Sequence, residues 1–96
     1  MLVLVSYDVS TETPEGKRRL RRVAEVCQDY GQRVQLSVFE CLVGDKELAL
    51  LRNRLLTELD EEEDKLRLYF LDQAARQKTE HYGTAKPVDL EGPLVV

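Results

Sequence analysis

The sequence predicts one small α+β domain in which two helices pack on one face of an antiparallel sheet. Three observations lead to this prediction. The 96 residues are 43% hydrophobic, which suits one modest core and is too little for two domains. Short runs of apolar or alternating residues predict strands, and two stretches with helical spacing of apolar residues separate them. Along the chain the elements follow the order strand, helix, strand, strand, helix, strand.

The first strand is predicted from the apolar residues 2–5, which Ser6, Tyr7 and Asp8 follow. Consecutive apolar residues are typical of a strand that is buried on both faces. Asp8 stands where this strand should end, so rigid backbone would hold its carboxylate beside solvent, a useful place for an acid that binds a metal. The alternative is an aspartate that only stops the strand or caps the following loop.

The first helix is predicted to start at Thr13 and Pro14 and to run to about Tyr30. Thr13 can cap the helix, and proline suits the first helical position. Gly31 is predicted to end the helix in a left-handed cap. One apolar stripe faces the core and consists of Leu20, Val23, Ala24 and Cys27.

The opposite face of this helix is basic, with Arg18, Arg21 and Arg22 within residues 17–22. The formal net charge of −4 argues against a protein that coats nucleic acid through its overall charge. A local basic patch can still bind phosphate. The alternative is a solvated face on which the arginines pair with Glu15, Glu25 and Asp29. The acidic run at residues 60–64 is predicted to be a solvated loop.

The remaining elements are two strands, a helix and a last strand. Residues 33–43 are long for a single strand, so we predict two strands joined by a tight turn or bulge near Leu36 and Ser37. Asp45 is the predicted N-cap of a helix that extends to about Leu59. The core stripe of this helix is leucine-rich and consists of Leu48, Leu51, Leu55 and Leu59. Residues 65–72 form the last strand.

Two split β-α-β units in this order predict a ferredoxin-like βαββαβ plait with both helices on one face of the sheet. We assign residues 1–72 to this domain and residues 73–96 to a C-terminal segment. Residues 73–92 are polar and irregular, whereas residues 94–96 are apolar and predict an additional strand on the edge of this sheet or a partner's sheet. A homodimer that packs sheet to sheet would cover the face without helices.

The usual catalytic sets are missing from the sequence. His81 is its single histidine, and there is no glycine-rich phosphate loop. Any metal would therefore be a hard cation held by carboxylate and water, Mg²⁺ or Mn²⁺. If a two-fold axis passes near the end of the first strand, two Asp8 carboxylates could flank one shared ion. Tyr7 is either a core ring with a bonded hydroxyl or a platform for a base.

Cys27 and Cys41 lack the spacing of a zinc site, so we predict two reduced thiols in the core. The first strand is too short for a membrane span or for the apolar part of a signal peptide. We therefore predict a cytoplasmic protein that has no membrane partner.

Four segments together resemble a known family, the small dimeric ferredoxin-like protein of CRISPR adaptation modules that partners the CRISPR integrase. They are Leu-Val-Leu-Val-Ser-Tyr-Asp-Val at the start, Gly-Lys-Arg-Arg-Leu in the first helix, Gly-Gln-Arg-Val-Gln-Leu-Ser-Val-Phe-Glu-Cys at residues 31–41, and Leu-Tyr-Phe-Leu in the last strand. The resemblance covers nearly the whole chain. It implies a homodimer with exchanged C-terminal strands that sits between integrase dimers and supports the duplex of spacer DNA.

The resemblance also implies metal-dependent endonuclease activity on single-stranded RNA or duplex DNA. It implies that Asp8 is the catalytic metal ligand. The associated positions that it implies are Tyr7, Arg18, Arg19, Arg33, Ser37 and Phe39. We add Arg22 as a predicted nucleic-acid contact because it lies on the basic face of the first helix.

Two functional hypotheses follow. In the first, the dimer acts in spacer acquisition and is also an endonuclease that uses paired Asp8 carboxylates. In the second, it is a scaffold that holds DNA for the integrase, and Asp8 is structural. The two agree on the fold, the dimer and the contact with nucleic acid.

Overall fold

The computed structural model describes residues 1–84, apart from the side chain of Gln73. The elements in chain order are β1 (Leu2–Asp8), α1 (Pro14–Tyr30), β2 (Gly31–Gln35), β3 (Val38–Leu42), α2 (Asp45–Glu58), β4 (Lys65–Leu71) and α3 (Gln73–Gln77). The strands form one sheet in the order β2-β3-β1-β4, and each neighbouring pair is antiparallel. This is the predicted ferredoxin-like plait, so the α+β prediction is confirmed. The additional C-terminal strand that we predicted lies outside the described residues.

Strand β1 lies at the centre of the sheet, between β3 and β4. Val3, Val5 and Tyr7 belong to the buried cluster that α1 and α2 cover. Leu4 and Ser6 point to the other face and are only half-buried. Leu2, on that same face, is buried as predicted. The prediction that β1 is buried on both faces was wrong for Leu4 and Ser6, because within residues 1–84 the two long helices pack on the same side.

Both long helices have the predicted boundaries to within one residue. At the start of α1, the Thr13 hydroxyl accepts a hydrogen bond from the Gly16 backbone N–H at 3.1 Å. The apolar stripes face the sheet as predicted, and their fully buried members are Val23, Cys27, Leu51 and Leu55. In α2, Gly44 rather than Asp45 is the N-cap residue. The Glu47 carboxylate accepts a hydrogen bond from the Gly44 N–H at 3.1 Å, which fixes the chain at the start of the helix.

Gly31 does not form the left-handed cap that we predicted. Its φ of −164° is extended, and it is the first residue of β2. A β-carbon at this position would lie 2.2 Å from the carbonyl oxygen of Glu40 and 2.5 Å from the sulfur of Cys41. Glycine is needed here because β3 approaches the chain closely, and not because of the backbone angle.

We therefore expect Gly31→Ala to destabilise the fold by about 1–3 kcal/mol, the usual cost of forcing an extra carbon into a packed site. Chemical denaturation followed by circular dichroism measures this difference. Gln32→Ala is the matched control, since Gln32 is the next residue of β2 and is exposed. Equal stability of the two variants would contradict the close approach of β3.

The long stretch after α1 divides as predicted. Residues 36–37 form the turn between β2 and β3, and the pairing shifts between Arg33 and Gln35 in the manner of a β-bulge. Strand β4 ends at Leu71, one residue earlier than predicted, and the short helix α3 follows where an irregular segment was expected. No helix within residues 1–84 has both the length and the apolar character needed to cross a membrane.

The sheet face opposite the helices carries exposed apolar side chains. Leu42, Tyr69 and Leu71 are each at least 40% exposed. The strand registers place Tyr69 beside Leu4, and Leu42 and Leu71 on either side of Leu2. We call this surface, together with Asp8 at its end, the open face.

Candidate functional site

Asp8 is the last residue of β1 and is exposed at the end of the open face. In the antiparallel register its partner on β4 is Lys65. Within residues 1–84 no three histidine, cysteine or carboxylate side chains are grouped closely enough to hold a metal ion. Asp8 is thus not part of a three-donor group within one chain's described residues. A single carboxylate fits Mg²⁺, which commonly takes one or two carboxylates and completes its shell with water and substrate phosphate.

Tyr7 lies on the opposite side of the sheet from Asp8, because successive side chains of a strand point to opposite faces. The side chain is buried, and its hydroxyl donates a hydrogen bond to the Leu36 carbonyl oxygen at 3.4 Å. The ring centroid lies 6.2 Å from that of Phe39. These contacts favour the core interpretation of Tyr7, since a base cannot stack on a ring that the protein already covers.

Arg33 completes this cluster. Its guanidinium carbon lies 5.0 Å from the centroid of the Phe39 ring, within the range of a cation–π contact. Burial raises the pKa of Tyr7, and the nearby Cys27 raises it further, while Arg33 acts in the opposite direction. Tyr7 therefore remains a protonated hydrogen-bond donor at neutral pH.

An open cleft of about 560 Å³ brings three of the predicted residues together with two lysine or arginine side chains. Tyr7, Arg33 and Ser37 line it on the sheet side, and Lys17 and Arg21 line it on the α1 side. Our sequence-based choice of site residues did not include Lys17, and it considered Arg21 only as part of the basic face of the helix. Their i,i+4 spacing on a helix was the available signal, because it places both side chains on one face.

The other arginines of α1 differ in their exposure and in their ion-pair partners. Arg18 and Arg22 are exposed, and Arg22 lies 3.8 Å from the Glu58 carboxylate. Exposed ion pairs of this length contribute little stability, so Arg22 can exchange its partner for a phosphate. Asp29, which we considered as a partner within α1, instead pairs with Arg54 of α2 at 2.9 Å.

Arg19 differs from its neighbours because its guanidinium contacts a buried carboxylate. Its Nε donates to Asp64 Oδ2 at 2.8 Å, and its Nη2 donates to Asp64 Oδ1 at 3.3 Å. The Asp64 side chain has no exposed surface, and that of Arg19 is 19% exposed. The prediction that residues 60–64 are a solvated loop was therefore wrong at Asp64. Arg19, which we predicted to contact nucleic acid, is paired with this carboxylate and is mostly buried.

The Asp64 carboxylate also predicts a pH dependence of stability. Burial alone would raise its pKa, but hydrogen bonds from Arg19, Asp60 and Ser10 outweigh that effect and lower the pKa below its usual value. A carboxyl group whose pKa is lower in the folded state stabilises the fold above its unfolded pKa of about 3.9. This contribution is lost as the pH falls through the lower, folded pKa.

We therefore expect Asp64→Asn to be less stable than wild type at pH 7. The difference in unfolding free energy between the two proteins should decrease progressively below about pH 4. Urea unfolding midpoints of both proteins at pH 7, 4 and 2.5 measure this difference. Glu61→Gln is the control, because Glu61 belongs to the same acidic run and is exposed. A gap that does not change with pH would show that the charge of Asp64 has no part in its effect.

The two cysteines are free and buried, as predicted. Burial raises the pKa of Cys27 to about 12 and that of Cys41 to about 11. Neither thiol is a nucleophile near neutral pH, because the thiolate is the reactive form. Among the described residues, Asp8 and the basic side chains of α1 and β2 thus remain as candidates for chemistry on nucleic acid.

The family model described as "CRISPR associated protein Cas2" matches residues 1–79. The chain belongs to the Cas2 family. It is 58% identical to the CRISPR-associated endoribonuclease Cas2 of Nitratidesulfovibrio vulgaris over 96 residues, which are 100% of this chain and 94% of that protein. It is 50% identical to the CRISPR-associated endonuclease Cas2 of Halalkalibacterium halodurans over 95 residues, which are 99% of each chain.

The structure of this Cas2 chain is likewise similar to a solved one. The crystal structure of Streptococcus pyogenes Cas2 at pH 6.5 superposes with a TM-score of 0.78 and 51% sequence identity, and the match covers 86% of this chain and 100% of the other. Both the family that the sequence resembles and the ferredoxin-like fold are thereby confirmed.

In this Cas2 chain the predicted site residues fall into separate groups. Asp8 is on the open face. Tyr7, Arg33, Ser37 and Phe39 lie on the helix side of the sheet. Arg18 and Arg22 are on the outer surface of α1, and Arg19 is paired with Asp64. One chain therefore does not bring Asp8 and the basic residues into a single closed pocket.

Proposed function

We propose that this chain acts in CRISPR spacer acquisition as a homodimer that binds nucleic acid and cleaves it as a Mg²⁺- or Mn²⁺-dependent endonuclease. The observation that carries the proposal is the position of Asp8, an exposed carboxylate at the end of the central strand, on the same face as exposed apolar side chains. The substrate class is single-stranded RNA or duplex DNA. The names of the relatives, endoribonuclease and endonuclease, support an endonuclease, and the first supports RNA as a substrate.

The dimer follows from the open face. Leu42, Tyr69 and Leu71 are each at least 40% exposed on neighbouring strands, and a second copy packed against this face would bury them. A two-fold axis near the end of β1 would bring the two Asp8 carboxylates together. Two carboxylates and water form a more complete donor set for a hard cation than Asp8 alone.

Asp8 would hold the cation in this arrangement. When bound, such an ion lowers the pKa of a water ligand and neutralises charge on the phosphodiester. The chain's own contribution is to fix the carboxylate at a strand end and to place exposed arginines on α1 where they can hold phosphates. The proposed biological setting is cytoplasmic, with the CRISPR integrase and spacer DNA as partners, and the C-terminal segment from residue 73 is proposed to supply the exchanged strand.

Cleavage of labelled single-stranded RNA and of duplex DNA by the full chain tests the nuclease proposal. We expect hydrolysis with Mg²⁺, none with excess EDTA, and recovery when Mg²⁺ is restored. Because a site shared by two copies disappears when they separate, turnover per chain should fall on dilution below the dimer dissociation constant. Hydrolysis that persists in EDTA, or constant turnover per chain in samples shown to be monomeric, would contradict the proposal.

A second candidate function is a scaffold that holds spacer DNA without cutting it. The observation that favours it is the exposed arginines on the outer surface of α1, which can hold phosphates without a metal.

The scaffold depends on arginine contacts to phosphate. We expect Arg18→Gln to weaken duplex binding and to reduce the slope of log K against log salt by about one, the value for one lost phosphate contact. Binding titrations between low and physiological salt measure the slope. Arg52→Gln is the matched control, since Arg52 is exposed on α2. Equal slopes for wild type and Arg18→Gln would remove Arg18 from the interface.

A further inference from the structure

The Asp64 carboxylate connects three segments of the chain. Oδ1 accepts hydrogen bonds from the Ser10 N–H at 3.1 Å and from Arg19 Nη2, and Oδ2 accepts from the Asp60 N–H at 3.0 Å and from Arg19 Nε. Four donors thus use the four acceptor directions of one buried carboxylate. The segments joined are the loop after β1, the body of α1 and the loop before β4.

The loop after β1 is hydrogen-bonded to Asp64 through the Ser10 N–H. Ser10 is two residues beyond Asp8, and Asp64 immediately precedes Lys65, the residue opposite Asp8 in the sheet. The first turn of α1 packs closely against the same loop. A β-carbon on Gly16 would lie 1.9 Å from the Ser10 carbonyl oxygen. The backbone that follows Asp8 is therefore hydrogen-bonded at the Ser10 N–H and closely packed against Gly16 at the Ser10 carbonyl.

Arg19 has a structural reason not to bind phosphate. Its two hydrogen bonds to Asp64 form a bidentate pair, and leaving that pair would strand a buried negative charge. Arg18, the preceding residue, is exposed and is free of this constraint. Two adjacent arginines of α1 thus have different environments.

We propose that Arg19 is a positioning residue that acts through Asp64 to fix the loop after β1 and thereby to orient the Asp8 carboxylate. The proposal rests on the proposed nuclease function for what Asp8 does. It separates Arg19 from the nucleic-acid contacts on α1. Its effect on cleavage is on the turnover step, because it sets the orientation of the catalytic carboxylate and not the affinity for phosphate.

The first test compares Arg19→Gln with Arg18→Gln in duplex binding over a range of salt. We expect the salt slope of Arg19→Gln to equal that of wild type, and that of Arg18→Gln to be lower by about one. A reduced slope for Arg19→Gln would overturn the proposal, since it would make Arg19 a phosphate contact.

The second test measures amide hydrogen exchange by NMR in wild type, Asp64→Asn and Glu61→Gln. We expect faster exchange at Ser10 and Asp60 in Asp64→Asn, with protection at Val3 and Val5 retained, and no change at Ser10 in Glu61→Gln. A merely global loss of stability would speed exchange across β1 as well. Unchanged protection of Ser10 in Asp64→Asn would overturn the proposal.

The third test separates kcat from KM at a temperature where all variants are folded. We expect Arg19→Gln and Asp64→Asn to lower kcat by about tenfold or more, as small displacements of a catalytic group do, with KM nearly unchanged. A normal kcat in variants that have lost Ser10 protection would overturn the positioning role. If wild type does not cleave at all, the nuclease proposal and the role toward Asp8 both fail, while the first two tests still decide whether Arg19 belongs with Asp64 or with the nucleic acid.

Discussion

Asp8→Asn is expected to lower metal-dependent cleavage by at least about 100-fold, a loss comparable to that caused by removing one group that stabilises transition-state charge. The substitution keeps the size of the side chain and removes its negative charge, so a hard cation loses its protein ligand. Asp8 is exposed, and surface substitutions of this kind usually change stability by no more than about 0.5 kcal/mol. This variant should therefore lose cleavage activity while its stability stays close to that of wild type.

The measurement is the initial rate on labelled RNA and DNA at several Mg²⁺ concentrations, with the melting temperature recorded on the same samples. Glu12→Gln is the control, because Glu12 is an exposed carboxylate in the loop that follows Asp8. It should cleave at the wild-type rate. If Asp8→Asn cleaved as fast as wild type, the activity would not belong to this carboxylate, and the scaffold would become the better account.

Phe39→Ala is expected to cause a large loss of stability, about 3–5 kcal/mol, as is usual when a buried aromatic ring is removed. Phe39 has no exposed surface, packs beside the Tyr7 ring and supports the Arg33 guanidinium. In a domain of this size a loss of that magnitude lowers the melting temperature by at least about 12 °C. Any decrease in nucleic-acid binding should then follow the fraction of folded protein.

Thermal unfolding followed by circular dichroism measures the effect, and Phe39→Leu is the comparison because it keeps the site apolar and part of its volume. We expect a smaller fall for Phe39→Leu. A Phe39→Ala variant with the wild-type melting temperature and weaker nucleic-acid binding would instead place Phe39 in the binding surface.

The elements of the fold were predictable because their signals are local. Thr13 and Pro14 mark the start of α1, and the leucine spacing of α2 identifies its buried face without knowledge of any other element. Gly31 and Asp64 were not predictable in the same way. The need for glycine at position 31 comes from β3, and the burial of Asp64 comes from Arg19, which lies 45 positions away in the chain.

The sequence predicted which residues are candidates for the site better than it predicted where their side chains lie. The position of Asp8 at a strand end follows from the apolar run before it. That Tyr7 and Asp8 point to opposite sides of the sheet also follows from strand geometry, although their adjacency in sequence suggests a joint role. Helical spacing separates Arg18 on the outer face from Arg19, which lies four residues before the buried Val23. That the partner of Arg19 is Asp64 depends on a tertiary contact, which the sequence does not reveal.

The direct junction between α1 and β2 has a mechanical consequence. No residue separates the two elements, and the Gly31 N–H still donates to the Cys27 carbonyl oxygen of the helix while Gly31 pairs with Cys41 of β3. A rotation of α1 therefore cannot be absorbed by a connecting loop and must pass into the sheet at β2. A nucleic acid that bound the outer arginines and shifted α1 would therefore also shift β2, the strand that carries Arg33. The helix and the cleft beside it should move together when a ligand binds.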